Sequence, residues 1–369
     1  VRNVFIPKCR STLLDFPRTT IMFVGLIGST LNELKKRKPK DSMPKKQPEN
    51  SLLAALQFVA SVQPKRAINA FDVHCRMFAG KLVAMGGPLS AGIAIQEEIE
   101  ACPNTQKLID ALKKCPEAVN LTMITNNELS VRSGNFQATV PCINQVDIPS
   151  IFPNLHPFSI TMEFELALRR VGEVVSERAK TVLQSSVQLR GGSIVGSNGD
   201  VILEAWHGLQ LLDGPIVPKL FISAVNKQRR KSLYSLGIDG DSLTAYFLDG
   251  AWIKTALQRD PNFPDLPAYL TLPSNPIPLP LGFFEAIERL APFSRNGRLY
   301  FTDEGICTDN YTKDGAINLC EGLPIGISFT IESLQLLSGL IDKIDFNVSK
   351  RLVYFFGPNV RGCIGCERL

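Results

Sequence analysis

Apolar residues along this chain fall into two kinds of run. Some recur every three or four residues, the period of a helix with one buried face. Others alternate or cluster in stretches of about five or six bounded by turn residues, the mark of strands. The first kind predicts six short helices. "SLLAALQFVASV" starts near Ser51, "MEFELALRRVGEVVSERAK" near Met162 and "LGFFEAIERLAPF" near Leu281. A second set reads "NTQKLIDALKKC" from Asn104, "PKLFISAVNKQRRKS" from Pro218 and "IESLQLLSGLIDK" from Ile331, with starts 114 and 113 residues apart. In the helix from Met162, Phe164, Leu168, Val171 and Val175 stand at i, i+4, i+7 and i+11, one apolar stripe.

Between the helices lie strand pairs joined by tight turns. "LTMITNNELSVRSGNFQATVP" turns at Asn126-Asn127, "SIVGSNGDVILEAWHGLQLL" at Asn198-Gly199, and "YSLGIDGDSLTAYFLDGAWIKTAL" at Asp239-Gly240 and Asp249-Gly250. Asn-Gly and Asp-Gly tolerate the positive φ angles that two-residue hairpins need. Each unit of roughly 100–115 residues, an ordinary domain size, therefore reads as helix, strands, helix, strands. The expected class is α+β, with three similar domains in series, each with two helices backed by antiparallel sheets. Their bounds are 49–154, 155–273 and 274–369, set in the proline-bearing stretches "VDIPSIFPNLHP" and "YLTLPSNPIPLP".

Charge changes this picture only at one end. The chain has 40 Lys/Arg and 35 Asp/Glu. Residues 1–50 hold 11 and 4 of these, which leaves 29 against 31 for the rest. The body is not a basic protein, so any affinity for nucleic acid has to come from local placement of charge. Residues 1–48 read as a poorly ordered leader. Their apolar run "TTIMFVGLIGSTL" is too short to span a bilayer comfortably, and the charged, proline-bearing stretch after it is poorly suited to packing. A weak basic n-region and no clear cleavage site argue against a signal peptide. Met43, just before "PKKQPENSLLAAL", marks the expected native start of translation.

Candidate chemistry is sparse. The three histidines, His74, His156 and His207, show no metal-ligand spacing. No G-x-S-x-G, Walker A or G-x-G-x-x-G occurs, and "RGGS" at 190–193 sits among strand residues, where a bulge or hairpin is expected rather than a phosphate loop. Nine scattered cysteines suit a reduced protein with packed thiols. The C-x-x-C of Cys363 and Cys366 wants two further ligands for zinc, or a strand-to-helix turn for redox work, and the expectation is two small side chains in a terminal strand. No nucleophile, base and oxyanion set assembles, so the chain reads as non-enzymatic, without cofactor or metal. Basic residues do recur near helix ends: Lys113 and Lys114, Arg178 and Lys180, then Lys227, Arg229, Arg230 and Lys231, with Arg169 and Arg170 opposite the apolar stripe. Such residues complement the helix dipole, and as a set they suit sequence-independent phosphate contact.

From about Asn50 to Leu369 the sequence resembles the bacterial DNA sliding clamp, the beta subunit of DNA polymerase III. "LSVRSGNFQATVPCINQVDIPSIFPNL" is similar to the family's V-R-S-G strand followed by F-P-N-L. "GDVILEAWHGLQLL" is similar to its A-T-D-G-H-R-L strand, "DPNFPDLPAYLTLP" to its F-P-D-Y segment, and the closing "ERL" to its M-R-L end. The resemblance implies two chains closed head to tail into a ring around duplex DNA, as a cytoplasmic, nucleoid-associated processivity factor. The implied partners are a DNA polymerase, an ATP-dependent clamp loader and other proteins carrying short clamp-motif peptides.

It further implies a peptide groove between the second and third domains. By position its walls are Leu189, Trp206, Gly208, Leu209, Gln210 and Leu211, then Pro264, Ala268 and Tyr269, and the tail Ile364, Gly365, Cys366, Glu367, Arg368 and Leu369. The seam of the ring falls at Phe136 on one side and Leu290, Pro292 and Phe293 on the other. DNA-facing candidates are Lys65, Arg66, Lys113, Lys114, Arg178, Lys180, Lys227, Arg229, Arg230, Lys231 and Arg295. The chain departs from the family in the groove, where Leu209-Gln210 replaces His-Arg and Gly-Cys-Glu replaces Met-Pro-Met. Such drift suits a clamp serving its own polymerase, for example a phage-encoded one. The competing reading is a non-catalytic α+β protein that binds a peptide or ligand in an interdomain cleft. An enzyme using Cys363 and Cys366 ranks last.

Overall fold

The computed structural model describes residues 51–211, 214–228, 231–309, 315–349 and 351–368. The expected leader, Met43, Arg229, Arg230 and Leu369 lie outside the described residues. The chain runs through one plan three times. After α1 (Ser51–Ala60) come β1 (Cys75–Phe78), β2 (Lys81–Gly86) and β3 (Leu89–Ala94); after α2 (Thr105–Leu112) come β4 (Asn120–Thr125), β5 (Glu128–Ser133) and β6 (Phe136–Pro141).

The second round opens on β7 (Phe158–Ser159) and α3 (Met162–Val174), with a single turn α4 (Val182–Ser185) before β8 (Ser186–Leu189), β9 (Ser193–Ser197), β10 (Val201–Trp206) and β11 (Ile216–Pro218). It closes on α5 (Lys219–Lys227), β12 (Leu233–Asp239), β13 (Ser242–Phe247) and β14 (Trp252–Ala256). The third round has β15 (Ile277–Pro278), α6 (Phe283–Leu290), β16 (Arg298–Thr302), β17 (Gly305–Cys307), β18 (Ile317–Asn318) and β19 (Ile327–Thr330). Then follow α7 (Ile331–Gln335), β20 (Lys343–Asp345), β21 (Leu352–Gly357), β22 (Val360–Gly365) and β23 (Glu367–Arg368). Among the described residues no helix is long and apolar enough to cross a membrane.

All six helices expected from the periodicity are present, and their apolar stripes are buried: Leu52, Leu56 and Val59 on α1, Phe164, Leu168 and Val171 on α3, Phe283 and Ile287 on α6. Each ends short of its expected stretch, as α5 does at Lys227, and in two the cause is local. The expected stretch of α3 runs to Lys180, but the helix stops at Val174, and Val175 is already extended (φ −87°, ψ 154°). Two β-branched residues in a row weaken the last turn, and the Ser176 hydroxyl accepts the Arg178 N–H at 3.3 Å, a local bond that competes with the helix. Arg178 and Lys180 therefore stand in the turn beyond α3 and do not close it. The stretch from Ile331 is helical only to Gln335 and continues as turns with Gly339 at φ +71°. "RGGS" is the hairpin turn between β8 and β9, with Gly192 at φ +90°. The single turn α4, capped by the Thr181 hydroxyl on the Gln184 N–H, was not anticipated.

The strands form antiparallel sheets that cross from one round to the next. One has the order β1-β2-β3-β14-β13-β12-β7, so β3 of the first round pairs with β14 of the second. Another runs β11-β8-β9-β10-β22-β21-β20-β15, so β10 of the second round pairs with β22 of the third. The remaining sheets, β4-β5-β6 and β18-β17-β16-β19-β23, stay within the first and third rounds. Glycines make both crossings close. A Cβ on Gly92 of β3 would lie 2.5 Å from the Trp252 ring of β14, and one on Gly362 of β22 would lie 2.1 Å from the Ile202 carbonyl oxygen of β10.

Candidate functional site

The crossing between β10 and β22 holds a buried carboxylate and its cation. Glu204 on β10 is buried, accepts the Ser193 hydroxyl at 2.8 Å and pairs with Arg361 Nε on β22 at 2.8 Å. Alternation along β10 puts Trp206 on the same face as Glu204, and the Arg361 guanidinium lies 5.2 Å from the Trp206 ring centroid. One arginine therefore neutralises a buried carboxylate and covers an indole. The segment 262–272 lies beside this crossing. Arg190 pairs with Asp265 at 3.1 Å, and the Tyr354 hydroxyl donates to the Tyr269 carbonyl oxygen while accepting the Leu272 N–H at 3.3 Å.

The fold thus gathers Leu189, Trp206, Pro264, Tyr269 and Ile364 around one crossing, but does not leave them equally free. Leu189 is 1% exposed and Ile364 0%; both belong to the core. Trp206 keeps 38% of its surface and Tyr269 52%. Pro264 is half-buried and Ala268 exposed. The tail turns onto the third round. Gly365 N–H donates to the Asp200 carbonyl, Cys366 N–H to the Arg351 carbonyl, and Glu367 and Arg368 pair with Ser328 and Ile327 of β19. Glu367 also meets Arg298 at 3.1 Å, and Arg368 donates to the carbonyls of Phe346 and Ser349.

The loop after β10 takes Gly208, Leu209, Gln210 and Leu211 away from that crossing. Gly208 sits at φ +73°, where a side chain would be strained. Its N–H and that of His207 both donate to the Gly192 carbonyl, and the Leu209 carbonyl accepts the Gly192 N–H. His207 is buried edge-on to Phe164, ring centroids 4.9 Å apart, and its Nδ1 accepts the Leu209 N–H at 3.0 Å. Burial holds the imidazole below its ordinary pKa, partly opposed by the Ser193 backbone. The neutral tautomer with its proton on Nε2 is therefore the one that latches this loop.

Beyond the latch lies a cavity of about 860 Å3. Leu209 and Leu211 line it from the loop, Phe158 from β7, Ile216 from β11, Ile238 from β12, and Leu257 from just after β14. An ion pair between Asp241 and Arg259, both exposed, stands at its edge. Phe158, Ile238 and Leu257 were not singled out from the sequence. Phe158 on β7 stands far along the chain from Ile238 on β12 and Leu257 just after β14, and their one local signal is the turn after Asp239 that puts Ile238 near the end of its strand.

Cys363 and Cys366 separate in the structure. Cys363 packs with Leu270 and Tyr354, and Cys366 belongs to the main core. Burial pushes the Cys363 thiol up to about 11 and raises that of Cys366 as well. Both are therefore neutral thiols at neutral pH, facing different clusters.

The basic candidates stand where helices end. Lys65 and Arg66 follow α1, Lys113 caps α2 with Lys114 after it, Arg178 and Lys180 follow α3, Lys227 ends α5 and Arg295 follows α6; all are exposed. Lys231 differs, being paired with Asp249 and 4.9 Å from the Phe58 ring centroid. Arg169 bonds Glu165 at 3.3 Å, and Arg170 donates to the Pro358 carbonyl. Of the seam candidates, Phe136 is half-buried on the edge strand β6, Pro292 is exposed and Phe293 is 65% exposed, whereas Leu290 is 3% exposed and lies in the core.

No family model and no curated protein matches this sequence. Solved structures do match its fold. The DNA polymerase III beta subunit of Pseudomonas aeruginosa aligns at TM-score 0.70 and 17% identity, covering 86% of this chain and 98% of its own. That of Caulobacter crescentus aligns at TM-score 0.73 and 17% identity, with 86% and 98% covered. The Helicobacter pylori beta clamp bound to a DNA ligase peptide aligns at TM-score 0.67 and 16% identity, with 87% and 98% covered. The architecture expected from the sequence is therefore borne out: across nearly the whole length of those proteins, this chain has the fold of the DNA polymerase III beta sliding clamp.

Proposed function

We propose that this protein is a sliding clamp, in which two copies join head to tail into a ring around duplex DNA and tether a polymerase without chemistry of their own. One observation carries the reading. In each round at least three strands follow the first helix and at least three follow the second, or its short equivalent α7. The third strand of the first set (β3, β10) pairs with the third strand of the next round's second set (β14, β22). Two edges of the same kinds remain, β18 in the third round and β6 in the first. A second copy brings β6 to β18 by the same antiparallel rule, and the heterologous contact closes after two chains. The domains of this reading are 49–154, 155–273 and 274–369, and its seam takes in Phe136, Pro292 and Phe293.

The exposed Lys and Arg at the helix ends are the DNA contacts of this reading. They are few, and among the adjoining helices α2, α3 and α6 carry both signs, which suits weak phosphate contact that lets the duplex slide. Partners, with the polymerase and a clamp loader among them, dock short peptides on the second round, at the loop Gly208–Leu211 and beside Pro264 and Tyr269. The peptide-bound Helicobacter pylori clamp supports this by analogy.

Retention on DNA tests the proposal. Protein loaded on nicked circular DNA should stay bound through a high-salt wash and leave when the circle is linearised. Equal retention on circular and linear DNA would exclude a ring.

A further inference from the structure

The chain that links the first two rounds lies across the sheet that joins them. Cross-strand pairing puts Arg76 of β1, Gly92 of β3, Trp252 of β14 and Tyr246 of β13 in one row, and Ser90, Lys254, Thr244 and Gly237 in the next. The rows stand two residues apart along β3, β14 and β13, so they share one face. The linker meets that face in the order of the strands. Arg76 donates to the Ser150 hydroxyl at 3.0 Å, Ile151 shares a small cavity with Ser90 and Lys254, and Lys254 Nζ donates to the Phe152 carbonyl at 3.0 Å. Asn154 then lies over β13 and β12, and the chain enters the sheet edge as β7. We propose that residues 150–154 are a strap over the joint of the first and second rounds, that Asn154 is its clasp, and that the β3–β14 joint flexes only once the clasp opens. The inference rests on the fold and not on the clamp reading.

The clasp is polar. The Asn154 N–H donates to the Thr244 hydroxyl at 3.1 Å, and its side-chain amide donates to the carbonyls of Gly237 at 3.0 Å and Ser242 at 2.9 Å. The amide oxygen accepts the Ser242 hydroxyl at 2.9 Å, and the Asn154 carbonyl accepts the Tyr246 hydroxyl. Both donors and the acceptor of the side chain are thus in use, on a residue only 5% exposed. Gly237 leaves the space for it, since a Cβ there would stand 3.1 Å from that of Asn154. The apolar neighbours stay outside, Phe152 58% and Leu155 76% exposed. Hydrogen bonds rather than apolar burial therefore hold this end of the strap. Opening it strips several buried groups of their partners at once, which is costly.

Under the strap the joint is a close fit. A Cβ on Gly92 would lie 2.5 Å from the Trp252 ring, so the indole rests on bare backbone of β3. For β3 to swing away from β14, that ring has to leave Gly92. The strap spans this gap with an anchor on each side, the buried Ile148 and the Arg76 bond in the first round and Asn154 in the second. Within the clamp reading, a locked first joint hands any pull on the β6 seam straight to the second round.

The test is hydrogen exchange of the full chain, read by mass spectrometry. Asn154→Ala empties the clasp, and Tyr246→Phe removes one hydroxyl from it, so the milder variant carries the test if the other fails to fold. Peptides covering 89–92 and 252–255, the paired residues of the joint, should exchange about tenfold faster in Asn154→Ala and about threefold faster in Tyr246→Phe. Peptides covering β10 and β22, the joint that the strap does not touch, should stay within about twofold of wild type. A uniform rise at both joints would make Asn154 an ordinary contributor to stability and overturn the inference. A rise confined to the strap and to 237–246 would overturn it too, because the clasp would then open without freeing the joint, and so would no change at all. The DNA-retention experiment judges the clamp reading separately.

Discussion

His207 illustrates how one side chain sets the shape of a loop. Its Nδ1 must be unprotonated to accept the Leu209 N–H, and burial favours the neutral ring, so its folded pKa lies below the ordinary 6.5. The unfolded chain takes up a proton first as pH falls. The contribution is thus intact above about pH 6.5 and is lost on going down towards the folded pKa, at no more than about 1.4 kcal/mol per pH unit. Urea midpoints of the wild type and His207→Asn should diverge between about pH 7 and pH 5, with the wild type falling more steeply; parallel curves would show that the latch does not titrate. Glu204 acts through a different cost. Glu204→Ala would leave Arg361 and Ser193 facing a buried gap. Breaking a buried ion pair costs about 3–5 kcal/mol, and Arg361 still has 33% of its side chain exposed, so about 2–3 kcal/mol is expected in denaturant unfolding. A loss below about 0.5 kcal/mol would mean that solvent replaces the pair. A lone acidic residue in a strand gave little hint of this role, because its partner stands 157 positions further along the chain.

At the scale of elements, the helices were legible and the joins between sheets were not. Helix periodicity is local, and the stripes on α1, α3 and α6 could be read without knowing what they pack against. The end of α3 was misread because apolar period alone does not register two β-branched residues and a serine at the terminus. The hairpin turns at Asn126-Asn127, Asn198-Gly199 and Asp249-Gly250 form between the strands expected to flank them, while the one expected at Asp239-Gly240 falls one residue later, at Gly240-Asp241, because Asp239 still pairs with Ser242. The pairings β3 with β14 and β10 with β22 carry no signal in alternation, since the strands are far apart in sequence and any apolar edge would satisfy the pattern. What marks them is glycine. Gly362 faces the Ile202 carbonyl at 2.1 Å and the Phe355 ring at 2.3 Å from where its Cβ would stand. Gly362→Ala should therefore force the two strands apart and cost about 1–3 kcal/mol, the range for overpacking a tight core, read from the thermal midpoint. An unchanged midpoint would mean that β10 and β22 have room to separate. The same limit hid the cavity: Leu209 and Leu211 were found by position in a motif, but Phe158, Ile238 and Leu257 meet them only through sheet order.

For the whole molecule, the ring turns on which backbone groups face outward along β6. Cys142 N–H donates to the Asn127 carbonyl, and Asn104 N–H, from the other side, donates to the Pro141 carbonyl. Alternation then directs Val140, Ala138 and Phe136 towards β5, and Thr139 and Gln137 towards the open edge. Pro141 already stands at an outward position, where a missing N–H takes nothing from the β5 ladder. The double substitution Gln137→Pro with Thr139→Pro extends that arrangement along the strand. It removes the two outward donors, and proline is tolerated on an edge strand because φ near −65° and a free N–H side fit there. If β6 is one half of the seam, the variant should sediment at half the wild-type mass, keep the wild-type circular dichroism spectrum and slip from circular DNA. Phe293→Arg acts on the other side of the same joint, through a large side chain left exposed beside α6, and should give the same halving. Two substitutions on opposite ends of one chain that each split the assembly, with the fold intact, would identify a head-to-tail contact. A wild-type chain already monomeric at working concentration, or variants that remain dimeric, would place the second copy elsewhere or remove it.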